Sequence, residues 1–446
     1  MLFPEEKLAA ISISPKDKGP VAPQWIEGAT LYEIYTRNFT SSGDFKGILS
    51  RISYLKLLGV KVLWLMPIHP IGEKGRKGTL GSPYSILNHQ EINPEYGDKK
   101  DFRLLVKTIH SEGMKVIIDL VANHGANDNV LFKKFPKTSY YDAKGNPTRR
   151  VKDWSDVADF NYDNPKVWEY IENAALYWVK EFDIDGYRCD VAGMVPLEFW
   201  ESLIKKLLKV KKDLFMLAEW EHPALCRKAF HSDYTIDIYH KMLEVKKGKM
   251  SAQELIKIIQ KRNSKYPLNY LPLNFIENHD QPRARTAFGL KGYHPFAVLI
   301  FAIPGIPLIY NGQEVGFKKA LNLFEKDTLD WANASCEVFN FYQNLIKLRT
   351  SSPWLSKGKI IPMSNTAEKK VATAIITTSK KDYFLLLHFH RGQRRVIIPK
   401  VNLKEIIPIL SNNSRVISSQ ELELQSFAIY WGELANKHKE ANKCLK

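Results

Sequence analysis

The chain has 446 residues, of which 44% are hydrophobic and 25% charged, with 24 Gly and 23 Pro. At about 150 residues per domain it has room for two or three domains, and this composition excludes a peptide, a knotted mini-protein and a fibrous or low-complexity chain. Lys and Arg outnumber Asp and Glu by 65 to 48, a formal charge of +17. The basic residues are spread over segments such as VKKDLF and EVKKGKM, without a concentrated stripe or interleaved aromatics, so neither a nucleic-acid nor a membrane partner is expected.

Residues 1–25 read as an N-terminal extension with early acids and no continuous apolar core, unlike a secretory signal. Cys189, Cys226, Cys336 and Cys444 are far apart and lack metal-ligand spacing, which fits reduced thiols and a cytoplasmic location. Residues 26–350 carry eight short β-rich runs: LYEIYTR from Leu31, VKVLWLM from Val60, KVIIDLV from Lys115, DGYRCDV from Asp185, LFMLAEW from Leu214, DYTIDIY from Asp233, LNFIENH from Leu273 and IPLIYNG from Ile306. Helical patterns lie between them. Trp168, Ile171, Ala175, Trp178 and Phe182 repeat at helical spacing behind an Asn164-Pro165 start, as do Trp200, Leu203, Ile204, Leu207 and Leu208, and Ser251 with Glu254 forms a capping-box pattern.

Near-continuous apolar strands alternating with helices predict an α/β fold, a closed (β/α)8 barrel whose functional face is built by the loops after each strand. The third connection is too long for one helix, so 125–163 reads as a short inserted subdomain. The apolar run from Phe296 to Tyr310 is shorter than the roughly 18 residues of a membrane span and is broken by Pro304, Gly305 and Pro307, so it reads as helix end, turn and strand. From 351 to 432 the pattern turns to period-two strands, VATAIITT, YFLLLHFH, RVIIP and SFAIYWG, predicting a C-terminal antiparallel β domain, and 433–446 reads as a charged, frayed tail.

Chemistry-bearing residues collect where these strands end. Asp119 closes the third, with Asn123 and His124 beyond; Arg188 and Asp190 close the fourth, Glu219 the fifth, and His279 and Asp280 follow the seventh. Two apart on one strand, Arg188 and Asp190 both face the barrel interior while Cys189 faces the helices. An Arg beside a carboxylate holds it ionised, whereas burial near another negative charge keeps a second carboxyl protonated. That asymmetry is what a glycosidase with two carboxyl groups needs, with the pair about 5 to 5.5 Å apart in a retaining enzyme.

The segments DLVANH (119–124), GYRCDVA (186–192), AEW (218–220) and FIENHDQPR (275–283) resemble the four sequence signatures of the α-amylase family of glycoside hydrolases, in family order. GSPYS (81–85), VADFNYDNP from Val157 and GIPLIYNGQEVG from Gly305 resemble its subsidiary motifs. The resemblance implies a retaining α-glycosidase acting on maltooligosaccharides or starch- and glycogen-type glucans, with a 4-α-glucanotransferase or an oligosaccharide-specific α-glucosidase as the alternative. It implies Asp190 as nucleophile, Glu219 as acid/base and Asp280 as the third carboxylate. Arg188 would orient the nucleophile, His124 and His279 would bond ring hydroxyls, Tyr84 would stack under the sugar, and Asp119 would support the subsite floor. Trp220, beside Glu219, is a further candidate for sugar contact, with Trp64 and Trp154 behind it. The chemistry needs no cofactor. Family members often hold structural calcium through the Asn of the first signature, here Asn123, with acids of the insert.

Val191, Ala192, Gly193 and Met194 stand where many endo-acting members carry a Lys-His pair, which predicts a reshaped acceptor side. The loop IGEKGRKGTLGS, with Lys74, Arg76 and Lys77, lacks the order of a phosphate-binding loop and reads as part of the mouth. A barrel that binds sugar without catalysis is the reading from another class; the complete acid set argues against it.

Overall fold

The computed structural model describes residues 4–14 and 16–435. Eight strands form one parallel sheet: β1 Leu31–Ile34, β2 Val62–Leu65, β3 Lys115–Leu120, then after a two-stranded excursion (β4 His124–Ala126 and β5 Val157–Asp159) β6 Gly186–Cys189, β7 Phe215–Ala218, β8 Ser232–Asp233, β9 Leu273–Asn274 and β10 Ile306–Tyr310. Their spatial order is β8-β7-β6-β3-β2-β1-β10-β9. A parallel bridge between Tyr234 and Leu273 joins the two ends and closes the barrel. These strands are buried along their whole length apart from the first residue of β3, which is why they read as continuous apolar runs instead of alternating ones.

The helix Pro165–Phe182 starts as its sequence requires. Asn164 accepts from the Lys166 amide, and Pro165 occupies a position whose amide would be unsatisfied in any case. The helix Tyr293–Ala302 and β10 confirm the helix–turn–strand reading of the Phe296–Tyr310 run.

Three expectations are corrected. DYTIDIY is a strand only at Asp233, the last residue of β8; from Ile236 it is helix, running to Lys246, because β8 needs only to reach the seam. The fifth strand is followed by a single 3-10 turn, Leu225–Arg227, where a helix was expected. Ser251 does precede the helix Ala252–Asn263, but its hydroxyl donates to the Glu368 carbonyl at 2.6 Å and caps nothing.

Beyond the barrel, β11 Lys359–Pro362, β12 Val371–Thr377, β13 Tyr383–His388, β14 Arg394–Ile397, β15 Ile406–Val416 and β16 Glu421–Leu434 form an antiparallel sheet, ordered β11-β12-β13-β16-β14 with β15 also on β16. β11 and β15 are additions to the four strands expected; the polar SNNSR stretch hid the second of them. Gln253 fastens this sheet to the barrel, donating to the Thr373 carbonyl (3.0 Å) and accepting from its amide (2.8 Å). The strand reaches Leu434, so the expected tail at 433–446 begins as sheet, and 436–446, with Cys444, lie outside the described residues.

The seam between β8 and β9 depends on one cation. Arg262 bonds Asp233 Oδ1 (3.1 Å), the Tyr234 carbonyl (2.7 Å) and Tyr266 Oη (3.1 Å), while Tyr266 and Tyr270 also donate to the same fully buried Asp233. Removing one partner of a buried pair leaves an uncompensated charge. Arg262→Met is therefore expected to lower unfolding free energy by about 3 to 5 kcal/mol, measured by urea titration; a loss under about 1 kcal/mol would show that the network does not hold the seam.

Candidate active site

The C-terminal strand ends open on a cavity of about 260 Å3, lined among others by Tyr84, His124, Asp190, Glu219, His279 and Asp280. Six of the nine residues singled out from sequence thus meet in one hollow. The other three do not line it. Asp119 and Arg188 are buried beneath its floor, and Trp220 is half-buried and packs over Gly193, where an added Cβ would come within 2.2 Å of the indole. Arg188, expected to orient the nucleophile, Asp119, expected to support the floor, and Trp220, the candidate for sugar contact, thus lie behind the lining of this hollow.

The floor is one guanidinium among three carboxyl groups. Arg188 Nη1 lies 2.7 Å from Asp190 Oδ1 and 2.5 Å from Asp119 Oδ1, and Nη2 lies 2.7 Å from Glu219 Oε1. Its Nε donates to Tyr234 Oη at 3.1 Å, and the rings of Trp64, Tyr84 and Tyr234 surround its Cζ at 5.2 to 5.7 Å. Trp64 is not a sugar platform: it is wholly buried and donates to Asp119 Oδ2 at 2.9 Å. Register explains the assembly, since Asp119 and Arg188 are direct partners across β3 and β6.

The two carboxyl groups over this floor differ. Burial, followed by repulsion from Asp190 and Asp280 and opposed by Arg188, pushes the Glu219 carboxyl up to about 8. Its Oε2 accepts from the Val191 amide at 2.8 Å. Val191 holds that position with φ 36° and ψ 49°, a left-handed backbone that a β-branched residue adopts only under strain. Burial likewise pushes Asp119 up to about 7 in spite of the guanidinium beside it.

A second charged chain crosses the mouth. Glu33 of β1, wholly buried, bonds His279 Nδ1; His279 Nε2 lies 2.8 Å from Tyr84 Oη and 3.2 Å from Asp280 Oδ2. Tyr84 and His279 stack at 5.5 Å and 18°. Burial disfavours the imidazolium, but the Asp280 and Glu33 carboxylates outweigh it and raise His279 to about 9. Asp280 is the wet member of the acid set, with 48% of its side chain exposed against 8% for Asp190 and 15% for Glu219. Glu33 was missed in the sequence, although a lone Glu inside the apolar run LYEIY is a usable signal. Lys77, Trp154 and Asp156, together with Leu323 and Phe324 from the loop after β10, complete the wall. Lys77 sits 3.3 Å from Asp156, and Trp154 packs 5.3 Å from the His124 ring.

Calcium through Asn123 and an acid of the insert can be tested on the side chains themselves. Asn123 Oδ1 accepts from Arg150 Nη2 at 2.5 Å, and Asp159 Oδ2 accepts from Arg150 Nε at 2.8 Å. Both oxygens already serve a guanidinium, so these residues do not fit a calcium ion. Among the described residues no group of three or more His, Cys, Asp or Glu side chains could hold a metal.

A closed parallel barrel with three carboxyl groups and an imidazolium around a sugar-sized hollow defines a carbohydrate-active enzyme. The family profile described as alpha amylase, catalytic domain, matches residues 33–155 and 151–337, and the chain belongs to this family of glycoside hydrolases. It is 30% identical over 413 residues to Alpha-amylase 2 of Dictyoglomus thermophilum, covering 82% of this chain and 72% of the relative. It is 25% identical to the intracellular maltogenic amylase of Bacillus subtilis, over 86% of this chain and 71% of that one. Among solved structures, a noncanonic maltogenic alpha-amylase, AmyB, of Thermotoga neapolitana superposes with a TM-score of 0.83 at 34% identity, covering 92% of this chain and 99% of its own.

Because His279 is raised in the folded state, its contribution to stability is complete below the unfolded value of 6.5 and is lost as pH rises through about 9. Glu33→Gln removes one of the two carboxylates responsible. Denaturant unfolding from pH 6 to 10 should show a shallower alkaline decline in this variant than in the wild type; parallel declines would mean that Glu33 does not set the charge on His279.

Proposed function

We propose that the protein cleaves α-glucosidic bonds of maltooligosaccharides and related glucans with net retention, through a covalent glycosyl-Asp190 intermediate. The observation that carries the reading is the shared guanidinium, which places the Asp190 and Glu219 carboxyl groups on adjacent nitrogens of Arg188 at the base of one hollow. Arg188 Nη1, 2.7 Å from Asp190 Oδ1, orients the carboxylate that attacks the anomeric carbon. Glu219, protonated at neutral pH by burial, gives its proton to the departing oxygen. Once Asp190 is an ester its charge is gone, the repulsion that raised Glu219 weakens, and Glu219 becomes acidic enough to act as the base for the incoming acceptor.

Asp280 and the His279 imidazolium present an acceptor and a donor to the sugar hydroxyls, and His124, with Nε2 3.9 Å from Asp190 Oδ2, reaches the same ring from the other side. Tyr84 offers a face beneath it. The cavity lies at the small end of ligand pockets, which favours short oligosaccharides over long polymers and supports the oligosaccharide-specific variant of the reading. The maltogenic names of two relatives fit cleavage of α-glucans, and the word intracellular in one of them supports a cytoplasmic location. Among the described residues no helix is long and apolar enough to cross a membrane.

Asp190→Asn and Glu219→Gln should each lower kcat on maltotriose and maltoheptaose by at least about 10^3-fold with circular dichroism unchanged; residual activity above about a tenth of wild type would overturn the assignment. The wild-type kcat/KM should fall as pH rises through about 8, the limb set by Glu219. Product profiles from maltoheptaose and panose at low and high acceptor concentration separate hydrolysis from transfer and α-1,4 from α-1,6 cleavage.

A further inference from the structure

Arg150 stands in an environment built for a hard cation. Its Nε donates to Asp159 Oδ2 (2.8 Å), Nη2 donates to Asn123 Oδ1 (2.5 Å) and to the Met194 carbonyl (3.0 Å), and Nη1 donates to Glu5 Oε2 (3.1 Å). The Arg150 amide adds a further bond to Asp159 Oδ2 at 3.0 Å. Asp159 has no exposed side-chain surface, so its charge needs a fixed partner. The oxygens come from four separate parts of the chain: the loop entering β4, β5, the turn after β6, and the N-terminal helix Pro4–Ala9. A carboxylate, an amide oxygen and a main-chain carbonyl are calcium-type donors, yet here they surround a planar guanidinium and bond its Nε and Nη2.

We propose that the Arg150 guanidinium is this chain's built-in structural cation, taking the place of a metal ion and tying the inserted subdomain to the barrel beside the catalytic carboxyl groups. The consequence reaches the site through hydrogen-bond direction. Donation from Arg150 fixes Asn123 Oδ1 as the acceptor and turns Nδ2 toward His124 Nδ1, 3.1 Å away. Nδ1 then accepts, the ring proton sits on Nε2, and that atom faces Asp190 at 3.9 Å. Removing the guanidinium while leaving its oxygens should open a cavity that a calcium ion fits by both charge and ligand type.

The test compares full-length wild type, Arg150→Ala and Arg150→Lys in EDTA, in millimolar CaCl2 and in millimolar MgCl2, reading the melting temperature. The wild type should melt at the same temperature in all three. Arg150→Ala should melt roughly 5 to 10 °C lower in EDTA and recover several degrees in CaCl2 but little in MgCl2, since calcium accepts an irregular set of oxygens whereas magnesium demands near-ideal octahedral geometry and dehydrates reluctantly; kcat/KM on maltotriose should recover alongside. A wild type that loses several degrees in EDTA, an Arg150→Ala variant that melts like the wild type, or one that is destabilised and ignores calcium would each overturn the proposal. Should Arg150→Ala not fold in any medium, Arg150→Lys decides. Retaining the charge, it should melt within a few degrees of wild type and ignore calcium, and a large fall restored by calcium would show that a single positive charge does not fill the position.

Discussion

The active-site floor rests on the placement of one positive charge. Arg188 has no exposed surface, and three carboxyl groups reach it from successive strands of the barrel. Buried carboxylates gathered this closely would repel one another and take up protons; the guanidinium between them opposes that, although burial still holds Asp119 and Glu219 above the usual carboxylate range. The aromatic walls of Trp64, Tyr84 and Tyr234 keep water from screening this arrangement. The barrel's closure, the register of β3 against β6 and the Asp233–Arg262 seam all serve to put those side chains at one level.

Around that floor the protein repeats the same device at lower cost in exposure. His279 is charged because two carboxylates face it, and Arg262 and Arg150 each neutralise an acid with no exposed side chain at a place where separate segments must meet. A net charge of +17 therefore does not describe these sites, where each buried cation is set against one or more acids.

Most of this was legible in the sequence because strand periodicity does two jobs at once. Buried parallel strands read as apolar runs, and a charged residue interrupting such a run announces itself, as Arg188 and Asp190 do. What failed to show followed from the same logic. β8 and β9 are two residues each, too short to carry a period, so the run from Asp233 concealed a helix start at Ile236. β15 is half solvated and polar, and reads as loop. Glu33 carries the same signal as Arg188 but sits outside the recognised signatures, and Arg150 lies in a Lys- and Arg-rich stretch where one buried guanidinium cannot be told from its solvated neighbours. Trp64 and Trp220 were assigned to the right end of the barrel, but depth beneath the surface is not written in strand order.

The strained turn at Val191 sets a length scale for the chemistry. The residue before it supplies one reacting carboxyl, and its own amide grips the other. One planar peptide unit, between Asp190 and Val191, therefore links the two carboxyl groups through the backbone. A carboxyl group carried by one strand end is in this way anchored to the main chain that follows its neighbour, so the pair is tied by a bond as well as by the sheet.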